Sequence, residues 1–206
     1  MLRPVRDLDK SRVIATDGVS CGRIKDIYFD DQSWAIKYLV LALEPRQFGH
    51  KQVLLTPEQI MLRPSLALPL QLNLASTELE SLPFAGSVLP VCQQYASIAF
   101  ASPGAALFLR NLSSADPHLR SARAVAHYRI NLADEYAGNL ADFLFDDETW
   151  EIRYLAVEQI LDGKKIHFHL LPHSVERFTW STERIVLRHL QPVKLAGEQR
   201  SAAAAA

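Results

Sequence analysis

The feature that most constrains the fold of this chain is an internal repeat. Residues 22–39 reappear at 138–155 without a gap, at a constant spacing of 116 residues, and nine of the eighteen positions are identical. The identical residues of the first copy are Gly22, Asp26, Phe29, Asp30, Asp31, Trp34, Ile36, Tyr38 and Leu39. Self-similarity at a fixed spacing indicates one structural unit present twice. A chain of 206 residues is long enough for two such small domains.

Each copy of the repeat predicts a β-hairpin. Residues 34–41 and 150–157 alternate with a period of two, which is typical of a strand with two different faces. The preceding residues 24–29 are rich in β-branched and aromatic side chains, and they predict the first strand of the hairpin. The intervening Asp30-Asp31-Gln32-Ser33 is typical of a turn, because Asp and Ser bond nearby backbone N–H groups. An aromatic platform for bases or a ligand could be formed by Trp34, Tyr38, Trp150 and Tyr154. Because they lie in a repeated hydrophobic alternation, they are expected to be core residues first.

The repeat predicts a mainly β fold of two small β-barrels related by internal duplication and joined by a partly helical connector. Shorter strands are expected at 52–55 and 166–171, each closed by a proline. The proline-rich but apolar stretch between the copies is expected to pack on the barrels. The expected domains are a first barrel at 1–75, the connector at 76–120, a second barrel at 121–195 and a tail at 196–206.

Composition limits the classes of function. The chain is 49% hydrophobic and 22% charged with a formal net charge of −1, which is typical of a globular protein and not of a nucleic-acid binder. The two cysteines, Cys21 and Cys92, have no metal-site spacing and indicate reduced thiols in the cytoplasm. No secretory signal is predicted at the start of the chain, and the longest apolar runs, such as Leu39–Leu43, are too short to span a membrane.

The acidic residues of the repeat predict structure and not catalysis. The pair Asp30-Asp31 lacks the regular oxygen ligands and mid-loop glycine of a calcium site, so we interpret it as a turn. Asp26 and its counterpart Asp142 are expected to hydrogen-bond the turn. No nucleophile elbow or glycine-rich phosphate loop occurs in the sequence, so no catalytic residue and no cofactor is predicted.

Three histidines near the end of the second copy form the main candidate for a metal site. His167 and His169 are two residues apart on a predicted strand and share a face, and His173 follows shortly after. Such an arrangement can bind zinc or copper. The matching part of the first copy, around 53–55, has no metal-ligating side chains. Surface or interface imidazoles are therefore the preferred interpretation.

The pattern as a whole resembles a known family. Glycine, aspartate, Phe-Asp-Asp, two residues, Trp-x-Ile-[Lys/Arg]-Tyr-Leu and a later apolar strand ending in proline resemble the PRC-barrel family, over about 12–72 and 128–190. The family is named after the photosynthetic reaction centre H subunit, and its fold also forms the C-terminal domain of the bacterial ribosome maturation factor. The arrangement, including the segment 116–121, is similar to bacterial proteins with two such domains in tandem. The resemblance implies protein binding without shared catalytic residues.

The leading hypothesis is a cytoplasmic bacterial adaptor that is not an enzyme and binds an unidentified protein partner. Duplicated small domains tend to bury equivalent faces in a pseudo-twofold arrangement, and Leu39, Leu41 and Leu43 are candidates for such an interface between the copies or for a homodimer contact. Lys37 and Arg153 are candidates for contacts with an acidic partner. The alternative is a ribosome- or RNA-associated assembly factor resembling the maturation factor, with nucleic acid contacted only through the ribosome. A small-ligand or metal binder is less favoured. The membrane anchor of the reaction centre subunit has no counterpart in this sequence.

Overall fold

The computed structural model describes residues 1–9, 11–61, 69–99 and 115–193. Part of the predicted connector and the whole predicted tail at 196–206 lie outside the described residues. The fold is mainly β, as the sequence predicted, and its strands form two curled sheets.

The strands of the described residues are short, apart from the two hairpins of the repeat. In chain order they are β1 (Leu2–Pro4), β2 (Arg12–Ile14), β3 (Ser20–Asp30), β4 (Ile36–Leu43), β5 (Gln52–Leu55), β6 (Ile60–Met61), β7 (Leu70–Leu72), β8 (Leu119–Ser121), β9 (Arg129–Leu132), β10 (Glu135–Asp146), β11 (Ile152–Leu161), β12 (Lys164–Leu170), β13 (Val175–Thr179) and β14 (Arg184–Leu187). The α-helices are α1 (Pro45–Phe48), α2 (Val91–Ala99) and α3 (Ala122–Val125). Short 3-10 helices span Val5–Asp7, Pro57–Gln59, Ser76–Ser81, Ala85–Ser87, Pro172–Ser174 and Trp180–Thr182.

The two sheets have the same strand order. The first runs β5-β4-β3-β2-β7-β6, with β8 paired to β3, and the second runs β12-β11-β10-β9-β14-β13, with β1 paired to β10. In both sheets one neighbouring pair is parallel, β2 with β7 and β9 with β14. The pairs β2–β3, β3–β4, β4–β5, β6–β7 and β3–β8 of the first sheet and β9–β10, β11–β12 and β13–β14 of the second are antiparallel. The central hairpin of the first sheet pairs β3 with β4 from Gly22 opposite Leu43 to Phe29 opposite Ile36.

The turn of this hairpin explains one departure from the predicted strand. Trp34 has a φ of 60° and lies in the turn, so the strand begins only at Ile36. The N–H of Trp34 donates to the carbonyl oxygen of Asp30 at 2.8 Å, and its ring stacks on Phe29 with centroids 5.9 Å apart. Trp34 is half-buried as a result, instead of being the core residue that the alternation predicted.

The described chain divides into two compact units. The first comprises 1–125 together with 145–151, the turn segment of the second hairpin. The second comprises 126–144 and the described residues from 152 onwards.

The first unit buries both faces of its sheet. On one face Leu39 and Leu41 are fully buried and Leu43 is 2% exposed. On the other face Tyr28, Val40, Leu54 and Leu119 form a cluster with Ala85 from the segment after the sheet, and Tyr38 and Val88 pack against it. Strands covered on both faces read as apolar on both faces, as the end of β4 does.

The core of the second unit is built from its own strands. Its fully or almost fully buried apolar side chains include Ile130, Leu140, Phe143, Ile152, Leu155, Val157, Leu170, Ile185 and Leu187.

Candidate functional site

The first aspartate of each turn organises the turn itself. Asp30 Oδ1 accepts hydrogen bonds from the N–H groups of Gln32 at 2.9 Å and Ser33 at 2.7 Å. Asp146 Oδ1 likewise accepts from the N–H groups of Glu148 and Thr149. Burial alone would raise the pKa of Asp30, but the two backbone N–H donors outweigh it and hold that pKa below its ordinary value. These contacts agree with the structural role predicted for the turn.

The second aspartate of the first turn is held by a strand that follows much later in the chain. Arg120 Nε in β8 donates to Asp31 Oδ2 at 2.6 Å, and His118 Nδ1 lies 2.9 Å from Asp31 Oδ1. The side chains of Arg120 and Asp31 are only 13% and 10% exposed. An ion pair shielded from water in this way resists screening by salt better than a surface pair does.

The second aspartate of the other turn has the same arrangement. Arg3 Nε in β1 donates to Asp147 Oδ2 at 2.6 Å, and the amino group of Met1 also contacts this carboxylate. All of these residues belong to the first unit. Burial opposes ionisation, but the hydrogen bonds from Met1 and Arg3 hold the pKa of Asp147 below its ordinary value. Sequence reasoning missed Arg3 and Arg120, although Leu-Arg occurs before each copy of the repeat.

Asp26 binds a different segment from the one predicted. Its Oδ2 accepts from Ser121 Oγ at 2.7 Å, and its Oδ1 accepts from the N–H groups of Ile27 at 2.8 Å and Arg123 at 3.2 Å. Ser121 Oγ accepts in turn from the N–H of Ala124. Burial raises the pKa of Asp26 despite these donors. Asp26 therefore fixes the junction of β8 and α3, and the predicted contact with the hairpin turn is not the one observed.

The predicted interface residues fall into two groups. Leu39, Leu41 and Leu43 are buried in the first unit, on the face of β4 opposite Val40, which excludes a homodimer contact through an exposed face. The other possibility, a face buried between the two copies, stays a prediction. Lys37 on β4 and Arg153 on β11 are exposed, as surface contacts require.

The three predicted histidines do not converge. His167 is exposed, His169 is 8% exposed with its ring edge-on to Tyr154 at 6.2 Å, and His173 lies beside His189 with ring centroids 5.6 Å apart. Among the described residues no group of three or more His, Cys, Asp or Glu side chains is placed to hold a metal ion.

Among the described residues of the second unit, the most exposed large apolar side chain is Ile160, at the end of the long hairpin. We call this end, Glu158–His167, the arm. Strands β11 and β12 pair in register from Leu155 opposite Leu170 to Leu161 opposite Lys164. Asp162 and Gly163 both have positive φ, as the tight two-residue turn of a hairpin requires. Lys165 Nζ bonds Glu158 Oε2 at 2.7 Å across the strands.

One face of the arm carries apolar side chains that extend from the buried core to the exposed tip of the hairpin. Because paired residues share a face, the buried pair Leu155 and Leu170 leads outward through Val157 and Phe168 to Ile166 and Leu161. Burial falls along this row, and Ile166 and Leu161 are 39% and 52% exposed. The opposite face carries Ile160, which is 67% exposed, together with the Glu158–Lys165 ion pair. Single exposed apolar residues are ordinary, but a row contiguous with the core is typical of a contact surface.

Each unit also has an open cleft lined by charged side chains. In the first unit a cleft of about 360 Å³ is lined by Arg23, Lys25, His50 and Lys51 with the single acid Glu44. In the second unit a cleft of about 540 Å³ has a mixed charged lining. Its charged residues are Asp134, Glu176, Arg177, Arg184 and Arg188. No Phe, Tyr or Trp side chain is among the residues that line either cleft, whereas small-molecule sites are usually rich in aromatic side chains.

The thiols are not arranged for nucleophilic chemistry. Cys21 and Cys92 are both free, and burial raises the pKa of each thiol. A raised pKa keeps a thiol protonated at neutral pH, and the thiolate is the reactive form.

No helix among the described residues is long and apolar enough to cross a bilayer. A scan against models of known protein families found no match, and a search of curated protein sequences found none either.

Proposed function

We propose that this protein is a non-catalytic, protein-binding module of the cytoplasm, built from two PRC-type barrels that arose by duplication. The observation that carries the proposal is the row of apolar side chains on the arm, which ends in the exposed Ile166 and Leu161. A protein partner that removes this row from water lowers the free energy of the complex by about 25 cal/mol per Å² of apolar surface buried.

Two observations support the duplication. The strand orders of the two sheets correspond one for one, since β2 to β7 occupy the positions of β9 to β14 and β8 takes the position of β1. The repeated sequence lies at equivalent places, in the central hairpins β3–β4 and β10–β11.

The arm also indicates what kind of partner it takes. Ile166 and Leu161 present an apolar strip, and Lys164 lies on the same face at the tip of the hairpin. An apolar segment flanked by an acidic side chain would match this strip in both polarity and charge.

The test is capture of partners from a bacterial lysate with the tagged full chain, read by mass spectrometry. We compare the wild type with a double variant, Leu161→Glu with Ile166→Glu, and with Ile160→Glu as a matched control on the opposite face of the arm. We expect a discrete protein partner that the wild type and the control retain and the double variant loses. Because all three positions are exposed, the fold should tolerate the charges, and circular dichroism checks this.

A partner retained equally by the double variant would contradict a binding role for the arm. Nuclease treatment of the lysate adds a second contrast. Under the proposal the captured protein survives nuclease.

One observation favours a second candidate, a ribosome- or RNA-associated role. The cleft of the first unit places Arg23, Lys25, His50 and Lys51 around a single acid. Basic side chains in a groove bind phosphates, and such binding weakens steeply with salt. Capture of ribosomal components that nuclease abolishes would support this candidate over the first.

A further inference from the structure

Two three-residue strands share a signature outside the repeated block of 22–39. β1 contains Leu2-Arg3 and β8 contains Leu119-Arg120, and a second arginine follows three residues later in each, at Arg6 and Arg123. The two signatures are 117 residues apart, within one residue of the spacing of the repeat. By sequence, therefore, β1 is the first strand of the first copy and β8 is the first strand of the second.

Each of these strands pairs with the hairpin of the other copy, and we call these pairings crossed. β8 pairs with β3, placing Arg120 opposite Phe29 in the first copy, whereas β1 pairs with β10 of the second copy. A strand retained by its own copy would instead place Arg3 on the first turn and Arg120 on the second.

The crossed contacts have the same geometry in both places. The N–H of Asp31 donates to the carbonyl oxygen of His118 at 3.0 Å, and the N–H of Asp147 donates to that of Met1, also at 3.0 Å. Both arginine Nε atoms lie 2.6 Å from Oδ2 of the corresponding aspartate. Such agreement is expected when one contact is made twice by related sequences.

The two turns meet at equivalent positions within the first unit. Ala35 and Glu151, which are 116 residues apart and therefore matched in the repeat, form an antiparallel bridge. The N–H of Ile36 donates to the carbonyl oxygen of Trp150 at 2.8 Å. Pairing of a position with its own equivalent is the signature of an isologous, twofold contact.

We infer that the first strands are exchanged between the two copies of the repeat, so that each copy is completed by the strand that belongs to the other. The partner that this surface fits is a second copy of the same repeat, here supplied by the same chain. Burial of the strands supports it, because Leu119 is 1% exposed and the Arg3 side chain is 6% exposed. This inference does not depend on the proposed binding function.

Double-mutant cycles in the full-length chain test the crossing directly. The variants are Asp31→Asn, Asp147→Asn, Arg3→Gln and Arg120→Gln, singly and in pairs, with the free energy of unfolding measured in urea. We expect positions 31 and 120 to be coupled by about tenfold in the unfolding equilibrium constant, and positions 147 and 3 likewise. The matched controls are the pairs 31 with 3 and 147 with 120, which should be additive. Coupling in the control pairs and additivity in the crossed pairs would overturn the exchange.

A second measurement keeps the inference testable if a variant folds poorly. A protease site is placed between residues 100 and 114 of the otherwise unchanged chain, which is then cleaved in its native state. Each fragment carries the strand that completes the other, so we expect both fragments to co-elute at the size of the uncut chain until denaturant is added. Fragments that separate without denaturant would refute the exchange.

Discussion

At the scale of single residues, the identical glycines of the repeat mark the closest approach of backbone to backbone. Gly22 has a φ of 144°, and a Cβ atom there would lie 1.9 Å from the carbonyl oxygen of Ala42. Gly138 has a φ of 149°, and its Cβ would lie 2.9 Å from the carbonyl oxygen of Glu158. Glycine recurs at this position because both the space and the backbone conformation exclude a side chain.

Replacing Gly22 with alanine should therefore destabilise the protein strongly. We expect Gly22→Ala to lower the free energy of unfolding by about 3 kcal/mol or more, since clash and strain act together. Gly18→Ala is the matched control, because Gly18 also has a positive φ, of 80°, but has no atom within 4 Å of the added Cβ. Strain alone should cost about 1 kcal/mol there. Urea unfolding measures the free energy of unfolding of both variants. Equal destabilisation by Gly22→Ala and Gly18→Ala would show that the close approach to Ala42 adds nothing to the backbone strain.

The pKa of Asp30 predicts a dependence of stability on pH. Its folded pKa lies below the ordinary 3.8, so its contribution is fully present above that value and is lost as the pH falls through the folded pKa. Asp30→Asn keeps the Oδ1 acceptor for Ser33 but cannot titrate. We expect the wild type to be more stable than Asp30→Asn at pH 7 and the two to converge as the pH falls through the folded pKa of Asp30. A difference in the free energy of unfolding that stays constant from neutral to strongly acidic pH in urea titrations would rule out the lowered pKa.

At the scale of secondary-structure elements, the sequence predicted what local chemistry determines. The hairpin, its Asp-Asp turn and the strand Gln52–Leu55 were predicted and are confirmed. Trp34 was predicted to be a core residue of the strand, and this was wrong. The alternation of apolar residues does not show where the turn, with its residue of positive φ, ends and the strand begins. Glycine or asparagine usually marks such a position, and tryptophan gives no such signal.

The homodimer contact considered for Leu39, Leu41 and Leu43 was excluded for a different physical reason. Apolar residues on both faces of a strand fit a buried strand as well as a binding strand, and only the three-dimensional structure decides between them. These three leucines are buried, and the opposite face of β4 is covered as well, by Ala85 and Val88 from far along the chain. The arm could not be predicted either, since Ile160, Leu161 and Ile166 read as ordinary strand residues until their exposure is known.

At the scale of the whole molecule, the chain passes between the two units three times. The first passage follows Val125, the second lies inside β10 between Leu144 and Phe145, and the third lies between Glu151 and Ile152, where β11 begins. At the second passage the continuous strand β10 belongs to both units. Local opening is cooperative within such contiguous elements, so loss of one unit should disrupt strands of the other.

The described chain should therefore unfold in one transition, and its tryptophans allow a direct test. Trp34 and Trp150 lie in the first unit and Trp180 in the second, where it is 37% exposed. In Trp180→Phe the fluorescence reports only the first unit, whereas far-ultraviolet circular dichroism reports both sheets. We expect the two signals to coincide along a urea titration, with one midpoint and one slope. Wild-type circular dichroism serves as the control for the substitution. A biphasic dichroism curve, with fluorescence following a single phase, would show that the shared strand β10 does not couple the units.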